Sequence, residues 1–316
     1  MTTKSKLADE PGKVETIDQV VIRFAGDSGD GMQVTGDRFT DESALFGNDL
    51  STFPNYPAEI RAPAGTLAGV SAFQIHISDH EILTPGDAPN VLVAMNPAAL
   101  KANVNDLPTG GTLVINVDSF DERDLAKAGY GANPLKDGSL SAYRIYEIPM
   151  TTLTVEACKP TGAKPRDAER SKNFFALGLL SWLYHRPIDD TERWIVRRYG
   201  RSPIVAEANT LAFRAGYNLG ETAEIFESSY EIAPAEHLPG TYTNVTGNVV
   251  SPGGFWPRPI SPSSRSSSAP TRSRRRRTSC TSSPSTRSSA SGLSKPKTRS
   301  PASVPRSGRP SAGRWE

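Results

Sequence analysis

Residues 26–31, GDSGDG, hold three glycines and two aspartates and follow an apolar β-branched run. Such glycines let a backbone turn tightly and approach a ligand, and a helix beginning after them offers free N–H groups to an anion. We therefore expect Gly26, Asp27, Ser28, Gly29 and Gly31 to face a ligand. The spacing differs from G-x-G-x-x-G and G-x-x-x-x-G-K-[ST], and the aspartates repel phosphate, which disfavours a nicotinamide-dinucleotide site. The alternative is a tight strand-to-helix turn with capping aspartates.

Two further side chains are candidates for ligand contact. Asn96 follows the apolar run VLVAM and precedes a proline, so it would lie at the carboxyl edge of a parallel sheet, where ligands bind, or simply cap a helix. Arg61 lies in the Asn55–Arg61 loop, within the Pro- and Gly-rich stretch Asn48–Gly65, whose length predicts a functional loop. Its guanidinium could bind a carboxylate or phosphate, or pair with Glu59.

Other site chemistries are disfavoured by residue spacing. His76 and His80 bracket Asp79 on a predicted strand end, where residues four apart do not share a ligand position. Cys158 and Cys280 are the only cysteines, too few for a four-cysteine cluster or a zinc ribbon. The sequence also has no H-E-x-x-H motif and no nucleophile elbow. We therefore expect no metal site.

The elements that must position these residues form an alternating pattern. Apolar β-branched runs predict strands, and periodic segments between and after them predict helices, the last two ending at Gly200 and Gly220. The fold class is therefore α/β, a mostly parallel sheet with helices on both faces. The predicted strands are 19–26, 71–78 (half-buried), 91–95, 112–117 and 143–148, and the predicted helices follow the glycines and cover 96–104, 166–186, 189–200 and 204–221.

Charge divides the chain at residue 251. The whole chain has 36 basic and 34 acidic residues, but 14 of the basic and one of the acidic residues lie in 251–316, so the net charge is −11 before that point and +13 after it. The last 66 residues also hold 20 Ser and 10 Pro, a composition typical of disorder. With no apolar membrane span and no signal peptide, the sequence predicts a cytoplasmic protein.

Six segments together resemble one family: RFAGDSGDGMQVTGDRF, FPNYPAEIRAPAGT, HEILTPGD, LVAMNPAALKAN, SKNFFALGLLSWLY and YTNVTGNVV. The chain is similar to the alpha subunit of 2-oxoacid:ferredoxin oxidoreductases, specifically the 2-oxoglutarate type with the gamma domain fused at the N-terminus. The resemblance implies a gamma domain (19–222) and a linker with the start of a pyrimidine-binding domain (223–250). Residues 1–18 are expected to form a mobile leader, and composition predicts a disordered tail (251–316).

The resemblance implies a subunit of a thiamine-diphosphate enzyme. In this family thiamine diphosphate with Mg2+ decarboxylates the 2-oxoacid, a [4Fe-4S] cluster passes electrons to ferredoxin, and coenzyme A takes the acyl group, with a separate beta subunit as partner. The family motif Y-P-I-T-P and cluster cysteines are missing here, so no catalytic residue is carried over and the chain alone is expected to be inactive. Pyruvate or a branched-chain acid remains an alternative substrate. A nucleic-acid-binding adaptor that uses SRRRRTS in the tail is the alternative of another class, and it is disfavoured because that basic segment has no interleaved aromatics and no Arg-Gly repeats.

A frameshift near Val250 explains the tail. If one base is lost there, the first two bases of each tail codon are the last two of a codon in the original frame. Ser266–Ser283 then permits LFLGSYPITPASDILHEL, which contains the missing Y-P-I-T-P at the place where the family has it. The tail is therefore interpreted as an out-of-frame reading, not as a Ser/Arg domain.

We predict that restoring one base near the Val250 codon opens a long downstream frame that encodes this string. Sequencing the coding DNA across Val250 checks the prediction. A restored frame that stops early, or that encodes an unrelated string, contradicts the frameshift.

Overall fold

The computed structural model describes residues 13–56, 69–223, 225–238 and 240. These residues all belong to one compact unit, Met1–Pro252. Arg61, Glu59 and the predicted tail 251–316 lie outside the described residues.

A six-stranded sheet forms the centre of this unit. The part of the chain that the structure describes has eight strands, of which β2 to β7 form this sheet: β1 (Lys13–Thr16), β2 (Gln19–Asp27), β3 (Asp49–Asn55), β4 (Val70–Ser78), β5 (Val91–Ala94), β6 (Thr112–Asn116), β7 (Arg144–Ile148) and β8 (Ser228–Glu231). The sheet has the order β3-β4-β2-β5-β6-β7, in which β2, β5, β6 and β7 are parallel and β4 is antiparallel to both of its neighbours. The mostly parallel sheet expected from the sequence is confirmed.

Helices cover both faces of the sheet, as expected. They are α1 (Met32–Phe46), α2 (Pro97–Asn103), α3 (Glu122–Lys127), α4 (Met150–Cys158), α5 (Pro165–Glu169), α6 (Lys172–Leu183), α7 (Asp189–Tyr199) and α8 (Pro203–Thr222). Phe24 of β2 faces the larger core, which includes α1 and α6, whereas its neighbour Ala25 faces a smaller core with α2 and α3. Alternate residues of one strand thus fill two cores, because side chains of a strand alternate between faces. Among the described residues, no helix is both long enough and apolar enough to cross a bilayer.

Three predictions about these elements are wrong. The stretch from Asn48 is not a loop at 49–55, because β3 pairs there with β4 at the sheet edge. Strand β4 is buried on both faces and not half-buried, since a loop covers its second face through the hydrogen bonds from Gln74 Nε2 to the carbonyls of Pro85 and Gly86. Gly220 does not end a helix but lies within α8, packed against Trp182.

The predicted leader and linker are also partly wrong, because both contribute to the fold. Strand β1 lies within the predicted leader and pairs in parallel with β8, which lies within the predicted linker. The residues after β8 continue along the domain: Ile232 is buried, and the amide of Asn48 donates to the carbonyl of Ala233 at 2.7 Å. The described domain therefore extends beyond both predicted boundaries.

A buried ionic cluster joins α1 to α6 and α7. Glu42 of α1 is fully buried and accepts hydrogen bonds from the hydroxyls of Ser181 and Thr191. Arg38, one turn earlier, donates from Nε to the Thr191 hydroxyl at 2.7 Å, and Arg186 stacks on Phe46. Burial raises the pKa of Glu42 to about 7, against the opposing effect of these hydroxyls and arginines.

Helices α6 and α8 cross with their backbones in contact. A Cβ atom added at Gly178 of α6 would lie 1.9 Å from the carbonyl oxygen of Phe213, and one added at Gly216 of α8 would lie 2.0 Å from that of Phe175. Such distances are far inside van der Waals contact, so only glycine permits this crossing.

We predict that Gly178→Ala destabilises the protein by about 1–3 kcal/mol, because the methyl group forces the two helices apart. Chemical denaturation followed by tryptophan fluorescence measures the free energy of unfolding. Gly131→Ala is the matched control, since its added Cβ meets no atom within 4 Å. Equal stabilities of the two variants would contradict the backbone contact.

Candidate functional site

The glycine-rich segment forms a turn between β2 and α1. Strand β2 ends at Asp27, and the backbone N–H groups of Gly29 and Asp30 both donate to the carbonyl of Asp27, at 2.7 and 2.9 Å. The N–H of Ser28 donates to the carbonyl of Gly69 at 2.8 Å. The turn therefore satisfies much of its own backbone polarity. The expected tight strand-to-helix turn is present, but neither aspartate caps α1, whose N-cap is Gly31 without a side-chain hydrogen bond.

Gly31 is required by its backbone conformation and by its neighbour. It precedes α1 with φ 76°, in the left-handed region that favours glycine. A Cβ atom there would lie 2.6 Å from the amide nitrogen of Asn173, in the first turn of α6. The first turn of α6 therefore fixes the point at which α1 begins.

Asp30 ties the turn together and links it to α6. Its Oδ2 accepts a hydrogen bond from the backbone N–H of Asp27 at 2.9 Å, and its Oδ1 lies 3.1 Å from Nζ of Lys172. Both side chains of this ion pair are largely buried, with exposed fractions of 16% and 13%. Screening by water is therefore weak, so the two charges attract each other more strongly than those of a surface ion pair, although their desolvation offsets part of this attraction.

Asn96 connects β5 to β2 at the carboxyl edge of the sheet. Its Nδ2 donates to Oδ1 of Asp27 at 2.8 Å, and its Oδ1 accepts from the N–H of Ala99 at 2.8 Å, which caps α2. Asn96 thus lies at the sheet edge and caps α2, whereas its contact with a ligand stays a prediction. Burial, and then the charge of Asp30, raise the pKa of Asp27, while the hydrogen bond from Asn96 lowers it.

A cavity of about 540 Å³ opens beside these residues. It lies at the carboxyl ends of β2 and β5, the edge where parallel sheets bind ligands. Two lysines and four acidic residues give it a formal charge of −2. Its lining consists of Asp27, Asp30, Asn96, Pro97, Ala98, Ser119, Asp124, Lys127, Ala128, Glu169 and Lys172.

The structure brings together only part of the residues expected to face a ligand. Asp27 and Asn96 line the cavity directly, whereas Gly26, Ser28, Gly29 and Gly31 form the adjoining turn. Arg61 lies outside the described residues. A ligand-binding role for all of these residues remains a prediction.

Two lysines of the cavity were not anticipated from the sequence. Lys172 begins the apolar helix α6, and Lys127 ends the short helix α3, where it pairs with Asp124. The residues around Lys172 do not indicate that it lines a cavity, because its position in the cavity wall depends on how α6 packs. The cations of this cavity therefore become visible only in three dimensions.

The histidines do not meet at a common position. The ring of His76 is hydrogen-bonded to the carbonyl of Thr84 and to Gln19, while that of His80 is hydrogen-bonded to Asp79 and Ser78. In the part of the chain that the structure describes, no three His, Cys, Asp or Glu side chains are grouped to hold a metal ion.

Loss of a helix cap costs about 1 kcal/mol of stability. We predict that Asn96→Ala lowers the free energy of unfolding by more than this amount, because Asp27 also loses its hydrogen-bond partner. The pKa of Asp27 should rise further, since the hydrogen bond that lowers it is gone. Denaturation and a carboxyl carbon-13 NMR titration measure the two effects.

Asp121→Ala provides the control, because Asp121 caps α3 in the same way but does not contact Asp27. An unchanged Asp27 pKa in Asn96→Ala would contradict the proposed coupling.

Comparison with known proteins places this fold in a family. The family model for pyruvate ferredoxin/flavodoxin oxidoreductase matches residues 21–219. Subunit KorA of 2-oxoglutarate oxidoreductase from Mycobacterium tuberculosis is 60% identical over 234 residues, which are 74% of this chain and 36% of KorA. Subunit KorC of 2-oxoglutarate synthase from Methanothermobacter thermautotrophicus is 33% identical over 106 residues, 33% of this chain and 53% of KorC. The chain thus spans about a third of KorA and about half of KorC.

A solved structure has the same fold. This chain is similar to 2-oxoglutarate:ferredoxin oxidoreductase from Magnetococcus marinus, with 2-oxoglutarate, coenzyme A and succinyl-CoA bound, at a TM-score of 0.53 and 24% identity, over 70% of this chain and 34% of that one. The match of the family model runs from β2 to α8, through the turn and the cavity. Since it covers more than half of the sequence, the chain belongs to the pyruvate ferredoxin/flavodoxin oxidoreductase family.

Proposed function

We propose that this chain is the N-terminal part of the alpha subunit of a 2-oxoglutarate:ferredoxin oxidoreductase. The enzyme would decarboxylate 2-oxoglutarate oxidatively to succinyl-CoA and pass the electrons to ferredoxin. The observation that carries the proposal is the 60% identity to KorA over 234 residues. Because those residues are 36% of KorA, the activity belongs to an assembled enzyme to which this domain contributes one part.

The domain's part in that enzyme is to form one wall of a ligand site. The support is the cavity at the carboxyl edge of β2 and β5, with Asp27 and Asn96 in its lining. These two side chains are held by each other and by the cap of α2, so their orientation is set before a ligand arrives. Coenzyme A or a cofactor bound by the rest of the enzyme is the proposed ligand.

The cofactors of the reaction are proposed to lie elsewhere in the complex. Cys158, the one cysteine among the described residues, is buried, and its thiol contacts the carbonyl of Ala208 at 3.4 Å. One cysteine does not fit a [4Fe-4S] cluster, which takes four, and no group of metal ligands fits the Mg2+ of thiamine diphosphate in the described part of the chain. We assign these sites to the beta subunit and to a pyrimidine-binding domain, with ferredoxin as the electron acceptor.

A chimera tests the proposed function. Residues 13–235 replace the matching segment of the Mycobacterium tuberculosis KorA subunit, which is then assembled with its beta subunit. We expect reduction of ferredoxin that depends on both 2-oxoglutarate and coenzyme A, at a rate within about tenfold of the parent, because the domain keeps its fold and its site. The 316-residue chain with the same beta subunit should show no turnover.

Substrate choice decides between this proposal and its alternatives. The chimera is assayed with pyruvate and with a branched-chain 2-oxoacid as well, and the parent enzyme serves as the control. An assembled chimera that turns over neither 2-oxoglutarate nor any other 2-oxoacid contradicts the proposal. Turnover by the 316-residue chain with only a beta subunit contradicts the assignment of missing sites to another domain.

A further inference from the structure

A second cavity lies at the other end of the sheet, where the parallel strands β2, β5, β6 and β7 begin. It has a volume of about 290 Å³, close to the lower limit of small-molecule pockets, about 300 Å³. Ile17, which follows β1, and Tyr230 of β8 also line it, so both ends of the described domain contribute to its wall. We call it the amino-edge cavity, to distinguish it from the carboxyl-edge cavity that is lined by Asp27 and Asn96.

Two neutral side chains of the amino-edge cavity hold hydrogen-bond donors without partners. Tyr184 is only 2% exposed, yet its hydroxyl has no hydrogen-bond partner among the described residues. Burial raises the pKa of this hydroxyl, which therefore stays protonated at neutral pH. The side-chain oxygen of Asn90 accepts from the backbone N–H of Val21 at 2.8 Å, so the NH₂ group of Asn90 is left to donate.

Arg144 supplies the charge of this cavity. Its Nε donates to the carbonyl of Gly110 at 3.3 Å, and its two terminal nitrogens have no partner in the part of the chain that the structure describes. Hydrogen bonds from Lys13 and Ser228 lower the pKa of Glu15, and the charge of Arg144 adds to this effect without forming an ion pair. No described Asp or Glu lines the cavity, so its formal charge is +1, against −2 for the carboxyl-edge cavity.

The rest of the wall is largely apolar and aromatic. The rings of Tyr184 and Tyr230 stack with their centroids 5.8 Å apart. Val20 and Val91, near the beginnings of β2 and β5, are 3% and 4% exposed. A ligand that fits this cavity therefore combines an apolar body with a group that accepts several hydrogen bonds and carries a negative charge.

We propose that the amino-edge cavity binds a small organic carboxylate through Arg144, Asn90 and the hydroxyl of Tyr184. An ionised carboxylate only accepts hydrogen bonds, so it suits a set of donors, and its single charge balances that of the one arginine. The apolar part of the ligand packs against Val91 and Tyr230. Because this cavity and the carboxyl-edge cavity lie at opposite ends of the parallel strands, the inference goes beyond the proposed function and does not depend on it.

Benzoate is the probe, and its binding to the 316-residue chain is followed by NMR of the methyl groups. The resonances of Ile17, Val20 and Val91 should shift as benzoate is added, whereas those of Ala98 and Ala128, in the carboxyl-edge cavity, should not. Benzamide has nearly the same shape without the charge and should bind about tenfold more weakly. Inorganic phosphate has the charge without the apolar body and should also bind about tenfold more weakly.

Two variants test the polar contacts one at a time. Tyr184→Phe removes a hydroxyl and keeps the ring, and it should weaken benzoate binding about fivefold. Arg144→Gln should weaken it about tenfold and abolish the preference for benzoate over benzamide, which a change of shape alone would not do. Tyr217→Phe and Arg123→Gln are the matched controls, since neither residue lines the cavity, and both should bind benzoate as the unchanged protein does. Circular dichroism verifies that each variant is folded.

The unchanged protein alone can overturn the proposal, whatever the variants do. Equal affinities for benzoate and benzamide, or tighter binding of phosphate than of benzoate, contradict a site for an organic carboxylate. So does an absence of shifts at Val20 and Val91 in about 10 mM benzoate, a concentration at which even a millimolar site is mostly occupied. Among the variants, benzoate affinities of Tyr184→Phe or Arg144→Gln that equal those of their controls also overturn it.

Discussion

The backbone contact between α6 and α8 is the constraint on which the site depends. Gly178 and Gly216 remove two side chains from this crossing, so each helix comes within van der Waals contact of the other's carbonyl groups. The distance between the helices is therefore set by main-chain atoms, which cannot adapt as a side chain does. The first turn of α6 holds Lys172 and Asn173, and both contact the turn at the end of β2. A shift of α6 would therefore move the cavity wall.

Helix α1 is fixed to α6 at two points with different chemistry. At its beginning, Gly31 lies against Asn173, a steric contact that leaves no room for a methyl group. Farther along, Glu42 accepts a hydrogen bond from Ser181, inside a cluster that also contains Arg38. A buried ionic group of this kind adds little net stability, because its desolvation cost offsets the attraction. Its contribution is the alignment of α1 on α6, since a shift in register would break the hydrogen bonds that Glu42 accepts from Ser181 and Thr191.

The sequence predicts those parts of the fold that depend on local patterns. Short apolar runs give β2, β5, β6 and β7, and the Asn-Pro pair gives the capped start of α2, because strand burial and helix capping act between near neighbours in the chain. The sequence did not predict strand β3, because Pro54 and the exposed Phe53 are typical of a loop. The proline is tolerated there because β3 lies at the edge of the sheet, where the proline nitrogen needs no hydrogen-bond partner.

The sequence predicted the parts of the site that depend on local patterns and on the shared edge of parallel strands. The GDSGDG segment forms a turn, and Asn96 meets Asp27 because the neighbouring parallel strands β2 and β5 end at the same edge of the sheet. Lys172 reaches the same cavity from a position more than a hundred residues later in the chain, through helix packing that no local pattern encodes. The pairing of β1 with β8 has a similar origin, and it has a consequence for evolution. Because β1 pairs with β8, the first and the last described strands are held together although more than two hundred residues of chain separate them. Loss of either strand would leave backbone hydrogen-bonding groups of the other without a partner, so the module is expected to be carried from β1 to β8 as one unit.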